Sequence, residues 1–413
     1  MSRLRQRTSS PFSTGLVFIL GLGLLFAPAP AKAGNRVVAW GAGLITNTAD
    51  GYAGYNFGQS VIPANLTNAV LVAGGGQHTL ALKADGALQG WGTNSAGQLN
   101  LPAQSNFVAI ACGFLDSALL QTNGTVIVIG DNGDNYANPN YVPLGLSNVV
   151  AIAAGRYHCL ALKTDGTVTA WGTSTNPDTY VTNFDYGQSA VPAGLSNVVA
   201  IAAGAYHSLA LKADGTVTGW GRTDYGQAST PSGVSNVVAI AAGFADSLAL
   251  EANGKVVAWG DNTFGQTNIP AGLSNVVAIA SGWWHNLALK SNGTVVAWGA
   301  GGGSNPYVDY KQTNVPTGLT NVVQIAAGTA HSLALVGTAP PVMQAAIISP
   351  SLGTNGFSFS LPTQNGRVYE LEFKNSLTDD VWQSLPLKAG TGGLLQWTDS
   401  AFAAMRFYRV SRW

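Results

Sequence analysis

Residues 201–221 read IAAGAYHSLALKADGTVTGWG, and variants of this stretch recur along most of the 413-residue chain. A self-similar period has to be settled before any single element is assigned. A glycine followed three residues later by His or Asp occurs seven times: Gly75/His78, Gly113/Asp116, Gly155/His158, Gly204/His207, Gly243/Asp246, Gly282/His285 and Gly328/His331. The glycines lie 38, 42, 49, 39, 39 and 46 residues apart. A Trp-Gly pair also recurs, at Trp40, Trp91, Trp171, Trp220, Trp259 and Trp298, with Ile129 in the place of tryptophan in one unit.

Each unit reads as strands. Residues 198–202 (VVAIA) form the short apolar run of a strand buried on both faces, and residues 209–211 alternate. Asp214 and Gly215 then supply a tight turn where positive φ is needed, before a third strand at 217–220. Asp-Gly or Asn-Gly recurs in this place in five other units. About forty residues with several strands per unit is the size of a propeller blade. The array starts with the second half of a unit, 37–41 (VVAWG), and ends with the first half of one, 331–335 (HSLAL). Pairing these halves would close a ring and remove its sheet edges. The expectation is an all-β protein: a seven-bladed β-propeller closed by its N-terminal strand, plus a small C-terminal β-sandwich.

The pattern VVAIAAGxxHSLALKxDGTVxAWGxNxxGQ resembles the RCC1-repeat family (regulator of chromosome condensation), over roughly residues 35–336. The Val-Pro-Ala-Gly-Leu-Ser linkers and the Tyr/Phe-Gly-Gln turns look closest to secreted bacterial members, one branch of which is the β-lactamase-inhibitory propellers that bind a partner protein. The resemblance implies the propeller fold; function has to come from the site.

Residues 1–33 carry Arg3, Arg5 and Arg7, an apolar stretch over 15–28, and Ala31-Lys32-Ala33 as a cleavage site, the features of a signal peptide. The apolar run is short for a membrane anchor and is broken by Pro28 and Pro30. The expected domains are therefore a signal peptide 1–33, the propeller 34–337, a linker 338–345 containing Pro340 and Pro341, and the module 346–413. Export to the periplasm, the cell surface or the medium follows, as a monomer with no membrane span after cleavage. Removing the first 33 residues leaves 15 basic against 19 acidic residues, a net charge of −4. With 9% charged residues and no Lys/Arg run, no electrostatic surface for nucleic acid is expected.

The corner residues His78, Asp116, His158, His207, Asp246, His285 and His331 obey the repeat, so they are read as structural, satisfying buried backbone groups. Cys112 and Cys159 stand where sister units hold Ala154 and Ser208, which fits buried small residues; an exported protein also permits a disulfide between them. No nucleophile elbow, zincin motif, phosphate loop or clustered Cys/His ligands occur, and the chain holds three glutamates, Glu251, Glu370 and Glu372. No catalytic residue, metal or cofactor is expected. Asp131, Asp134, Asp178, Asp185 and Asp309 in long loops could form an acid pair or bind Ca²⁺, but their spacing gives no ligand pattern and solvated loop polarity fits better.

Strand alternation puts the Gly-x-x-His corners and the loops after Trp-Gly on one face, and the Asp-Gly turns on the other. The first face carries expanded loops at 42–57, 131–141, 173–186 and 300–310. Insertions confined to one face of a repeat protein mark its binding face, and aromatics supply contact area at low entropic cost. The candidate partner-binding residues are Phe114, Tyr157, Tyr206, Phe244, Trp283 and Trp284 at the corners, ringing the central opening. Tyr52, Tyr136, Tyr180 and Tyr307 join them from the loops. Phe57, Tyr186, Tyr225 and Phe264 precede Gly-Gln and are read as scaffold. The function expected is a non-enzymatic protein-binding scaffold with an unidentified protein partner. The alternatives are an extracellular glycan as ligand, a hydrolase or lyase using the loop carboxylates, and, by family analogy, a guanine-nucleotide exchange role.

Overall fold

The computed structural model describes residues 35–43, 56–130, 141–172, 184–301, 308–337 and 348–412, apart from 354–355, 365, 377, 380 and 401–405. The signal peptide and linker expected from sequence lie outside these residues, as do Tyr52, Tyr136, Tyr180 and Tyr307.

Seven antiparallel three-stranded sheets form the blades. Blade 1 consists of an inner strand Ala69–Gly74, a middle strand His78–Lys83 and an outer strand Leu88–Gly92. Blades 2 to 6 repeat this order over 107–130, 149–172, 198–221, 237–260 and 276–299. Blade 7 takes its inner and middle strands from Val322–Ala327 and His331–Val336 and its outer strand from Arg36–Gly41. The register of that last pairing runs from Arg36↔Val336 to Gly41↔His331. Within it Trp40 is buried, and its indole donates to the carbonyl of Gln312 at 2.8 Å.

Two local features depart from ideal blades, and both repeat. At the Asp-Gly hairpin only the glycine takes positive φ (77° at Gly215), and Gly215 N donates to Lys212 O at 2.9 Å. The turn is therefore a type I turn closed by a left-handed glycine rather than a two-residue primed turn. The Asp214 carboxylate pins it by accepting the Thr216 N–H at 3.0 Å. In every inner strand the second residue is a bulge: Val70, Val108, Val150, Val199, Val238, Val277 and Val323 lack a register partner. A bulge bends its strand and turns the extra side chain out of the ladder.

The C-terminal module has two sheets. One joins Ile348–Gly353, Gly356–Pro362 and Leu394–Asp399; the other pairs Val368–Lys374 with Phe407–Arg412 and two short strands. Phe359, Leu361, Tyr369, Leu371, Trp397 and Val410 fill the space between them. Sequence separates this module from the ring by a linker, yet residues 33–413 form one compact unit. The module sits on the Asp-Gly face: Leu387 N donates to Ala213 O (2.9 Å) and Gly366 N to Val150 O (3.1 Å). Its Val368 and Leu387 join the core cluster of blades 4 to 6. The bulged valines beneath it, Val150, Val199 and Val238, are buried, whereas Val70 on blade 1 is 39% exposed.

Candidate functional site at the propeller mouth

The inner strands all end in small residues and turn at the corner glycines, and the reason is steric. A Cβ added at any of the seven would lie 2.3–2.8 Å from the carbonyl oxygen of the next blade's glycine, from Gly75 against Gly113 round to Gly328 against Gly75. Atoms do not approach so closely without displacement, so each position admits only glycine.

One step outward, the corner side chains form a second ring. Each bonds to the residue following the corner in the next blade. His78, His158, His207, His285 and His331 meet Ser117, Ser208, Ser247, Ser332 and Thr79 through Nε2 at 2.9–3.0 Å. Those hydroxyls donate onward to Gln carbonyls at 2.8–2.9 Å. A hydroxyl has one proton, so Nε2 is the donor, and the imidazoles are neutral with Nδ1 bare. Burial lowers these histidines to pKa values of about 3 to 4. Asp116 and Asp246 are acceptors and require a donor opposite. Cys159 Sγ donates to Asp116 Oδ2 at 3.7 Å, and Asn286 Nδ2 to Asp246 Oδ2 at 3.0 Å. Burial raises both carboxyls to about 7. Sequence reading expected these corner side chains to satisfy buried backbone groups; their partners are instead chiefly side chains of the neighbouring blade.

Cys112 and Cys159 are both free thiols, each held in its protonated form by burial first and by Asp116 second. Asp185 and Asp309 accept backbone N–H groups of their own turns (Gly187 and Lys311), and Asp131, Asp134 and Asp178 lie outside the described residues. Among the described residues no group of three His, Cys, Asp or Glu could hold a metal ion.

Above the glycine ring lies an aromatic cluster. Its members come from blades 2 to 6 and touch in series: Tyr157 and Tyr206 (5.9 Å between centroids), Tyr206 and Phe244 (5.5 Å), Phe244 and Trp283 (5.0 Å), Trp283 and Trp284 (5.5 Å). Phe114 of blade 2 stacks on Trp283 of blade 6 at 4.9 Å and 19°. The corner aromatics therefore converge over the opening instead of ringing it. Tyr157 and Tyr206 are buried, 4% exposed each, and serve as the floor of the cluster rather than open contact area. At its centre the Arg156 guanidinium carbon lies 4.8–6.0 Å from five rings, and Nη1 donates to Tyr206 Oη at 3.0 Å.

Sequence reading missed the rim. Tyr186 and Tyr225, assigned there to scaffold, are 36% and 51% exposed and flank Arg222, whose guanidinium carbon lies 4.9 and 5.6 Å from their rings. Phe184, 39% exposed, stacks on Tyr157 at 5.2 Å. The signal was available: the position before Gly-Gln holds Tyr186, Tyr225, Phe264 and also Ala96, and a scaffold requirement would not be met by alanine.

The family model for the Regulator of chromosome condensation (RCC1) repeat matches residues 69–98, 149–176, 198–227, 237–266 and 276–304. Each match starts at an inner strand of blades 1 and 3 to 6. A 78-residue stretch is 42% identical to human probable E3 ubiquitin-protein ligase HERC6, covering 15% of this chain and 8% of that one. Among solved structures, Prp20p from Saccharomyces cerevisiae, characterised for its binding to Gsp1p and histones, superposes with a TM-score of 0.58 at 21% identity, over 74% of this chain and 92% of its own. Yeast RCC1 (Prp20) bound to Kap60 gives 0.57 at 21% identity, over 82% and 96%. Human WBSCR16 gives 0.51 at 19% identity, over 74% and 99%. These structural likenesses establish the fold.

Proposed function

This chain belongs to the RCC1-repeat family, whose propeller is a scaffold suited to protein binding, and on that premise we propose that it is an exported, non-enzymatic binding protein. The partner is a protein, and it docks on the corner face. The observation that carries this reading is the cluster at the mouth: five blades contribute aromatics to one patch with arginines at its centre and edge. Tyr, Trp and Arg dominate interface energetics when they surround a desolvated centre. The opposite face is partly taken by the C-terminal module, which favours the mouth further. Export rests on the basic start, apolar stretch and Ala-x-Ala site of residues 1–33.

The test is hydrogen exchange on the protein with a partner captured from the exported proteome of its source. Protection is expected in the corner peptides around 113–115, 155–157 and 282–285. Protection confined to the Asp-Gly turns, or to the C-terminal module, would refute the assignment.

A further inference from the structure

Among the short loops that follow Trp-Gly, that of blade 4 departs from its sisters in chemistry but not in backbone. Residues 222–225 (RTDY) stand where blade 1 holds 93–96 (TNSA) and blade 5 holds 261–264 (DNTF). All three close with the same turn, the N–H groups of Gly97, Gly226 and Gly265 donating to the carbonyls of Asn94, Thr223 and Asn262 at 2.8–3.1 Å. The turn therefore does not account for Arg222, Asp224 or Tyr225. Arg222 Nε donates to Asp224 Oδ2 at 2.8 Å, while the guanidinium lies against the rings of Tyr186 and Tyr225. Its terminal nitrogens make no hydrogen bond among the described residues and are not buried. Asp224 Oδ1 and the Tyr225 hydroxyl likewise have no partner among the described residues, on side chains that are more than half exposed.

We propose that this rim is a subsite for a neutral pyranose ring, one sugar of an extracellular glycan, stacked on Tyr225 with two adjacent hydroxyls held by Arg222 and Asp224. The proposal goes beyond the protein-binding reading and does not require it. Charge decides against an anion. The Arg222 cation is already matched by a carboxylate at 2.8 Å, and Asp185, next in sequence to Tyr186, adds a second acidic group. What the ion pair leaves open is a pair of complementary edges: N–H donors on Arg222 and a carboxylate oxygen on Asp224. A sugar diol fits both, because a hydroxyl accepts as well as donates. One hydroxyl accepts from an Arg222 Nη and its neighbour donates to Asp224 Oδ1, each bond strengthened by the charge on the protein side. The bond between Arg222 and Asp224, and the rings against the guanidinium, hold these groups in place before the ligand arrives. Arg222 lies over one face of Tyr225, and 51% exposure leaves the other face to the apolar C–H side of a sugar.

The probes are the methyl glycosides of β-glucopyranose, β-galactopyranose and α-mannopyranose, with methyl β-glucuronopyranoside as the anionic counterpart. Saturation-transfer NMR on the full chain reads which ligand protons touch the protein. At least one neutral glycoside is expected to receive saturation on its ring C–H protons, and the glucuronide is expected to bind no better. Tyr225→Phe should keep this binding and Tyr225→Ala should weaken it at least tenfold. Asp224→Asn should reverse the preference, since it frees the Arg222 charge for the glucuronide. The triple variant Arg222→Thr/Asp224→Ser/Tyr225→Ala carries the side chains of the blade 1 loop and should lose the sugar while keeping its melting midpoint. No saturation of any neutral glycoside, or undiminished saturation in the folded triple variant, overturns the subsite. Glucuronide binding at least tenfold tighter than that of the glucoside in the native protein overturns it in favour of an acidic ligand.

Discussion

The corner pairs show how one residue's chemistry dictates another forty positions away. A histidine corner donates through Nε2 and takes a hydroxyl opposite; an aspartate corner accepts and takes a donor. Asn286 meets both demands of its junction, giving N–H bonds to Asp246 and to the Gln266 carbonyl at 3.0 Å each. Cys159 has a single S–H, which goes to Asp116, and the loop 131–140 that precedes its blade contains no Gln to require a second. The rule predicts coupling. Asp246→His alone or Asn286→Ser alone should each be strongly destabilising, and the double substitution should recover about 1–3 kcal/mol of the summed loss in a denaturant-based cycle. Additive effects would show that the two side chains do not act as a pair. The pairing was legible in sequence as a coincidence: the two aspartate corners are followed, one blade on, by the two units lacking Ser or Thr after the corner. The neighbour relation that gives it meaning requires the ring.

Blades carry that chemistry as a set, and pH is the lever that acts on all of them. Each neutral imidazole has a buried Nδ1 with no hydrogen-bond partner, so protonation would place a charge and an unmet N–H inside the protein. The folded pKa values of the five histidines, about 3 to 4, lie below the unfolded 6.5, so their contribution is present above pH 6.5 and is lost on acidification. Asp116 and Asp246 act oppositely: raised to about 7, they favour the fold more as pH falls from 7 towards 4. Near pH 5 the unfolded chain therefore binds five protons that the fold refuses and lacks two that the fold holds, a net three. Stability should fall by about 4 kcal/mol per pH unit between pH 6 and pH 4, read from urea midpoints. A flat profile over that range would show that acid enters the ring without breaking it. Blade boundaries were the most readable part of the chain, because strand, hairpin and Trp-Gly signals recur at fixed offsets. The hairpin type was not, since Asp-Gly is compatible with a primed turn and with the type I turn plus left-handed glycine found at Gly215.

At the scale of the whole molecule, the ring and the C-terminal module belong to one compact unit, and the N-terminal strand is part of the structure rather than a tail. Deleting residues 35–41 removes the outer strand of blade 7 and with it the buried Val37 and Trp40. Loss of a core tryptophan alone costs about 3–5 kcal/mol, and the bared middle strand adds an unpaired edge. The truncated protein should melt well below the intact one in a single transition; an unchanged midpoint would mean that the strand does not hold the ring closed. The closed ring could be read from sequence because its halves sit at opposite ends of the array. The docking of the module could not, because Leu387 and Gly366, which donate to the repeat residues Ala213 and Val150, lie in irregular segments that follow no period. The convergence of the mouth aromatics was likewise hidden: Phe114 and Trp283 lie 169 positions apart and meet only across the channel.

The central claim is that this converged cluster binds the partner, and Trp283 and Trp284 are its two indoles, in edge-on contact at 5.5 Å. Truncating an interface aromatic at the centre of a contact costs on the order of 2 kcal/mol or more, about thirtyfold in Kd. The decisive measurement is calorimetric titration of the captured partner into the native protein and into Trp283→Ala/Trp284→Ala, with the melting midpoint as a control for folding. A folded double variant with Kd raised about thirtyfold or more is the predicted result; a folded double variant with unchanged Kd would contradict the account.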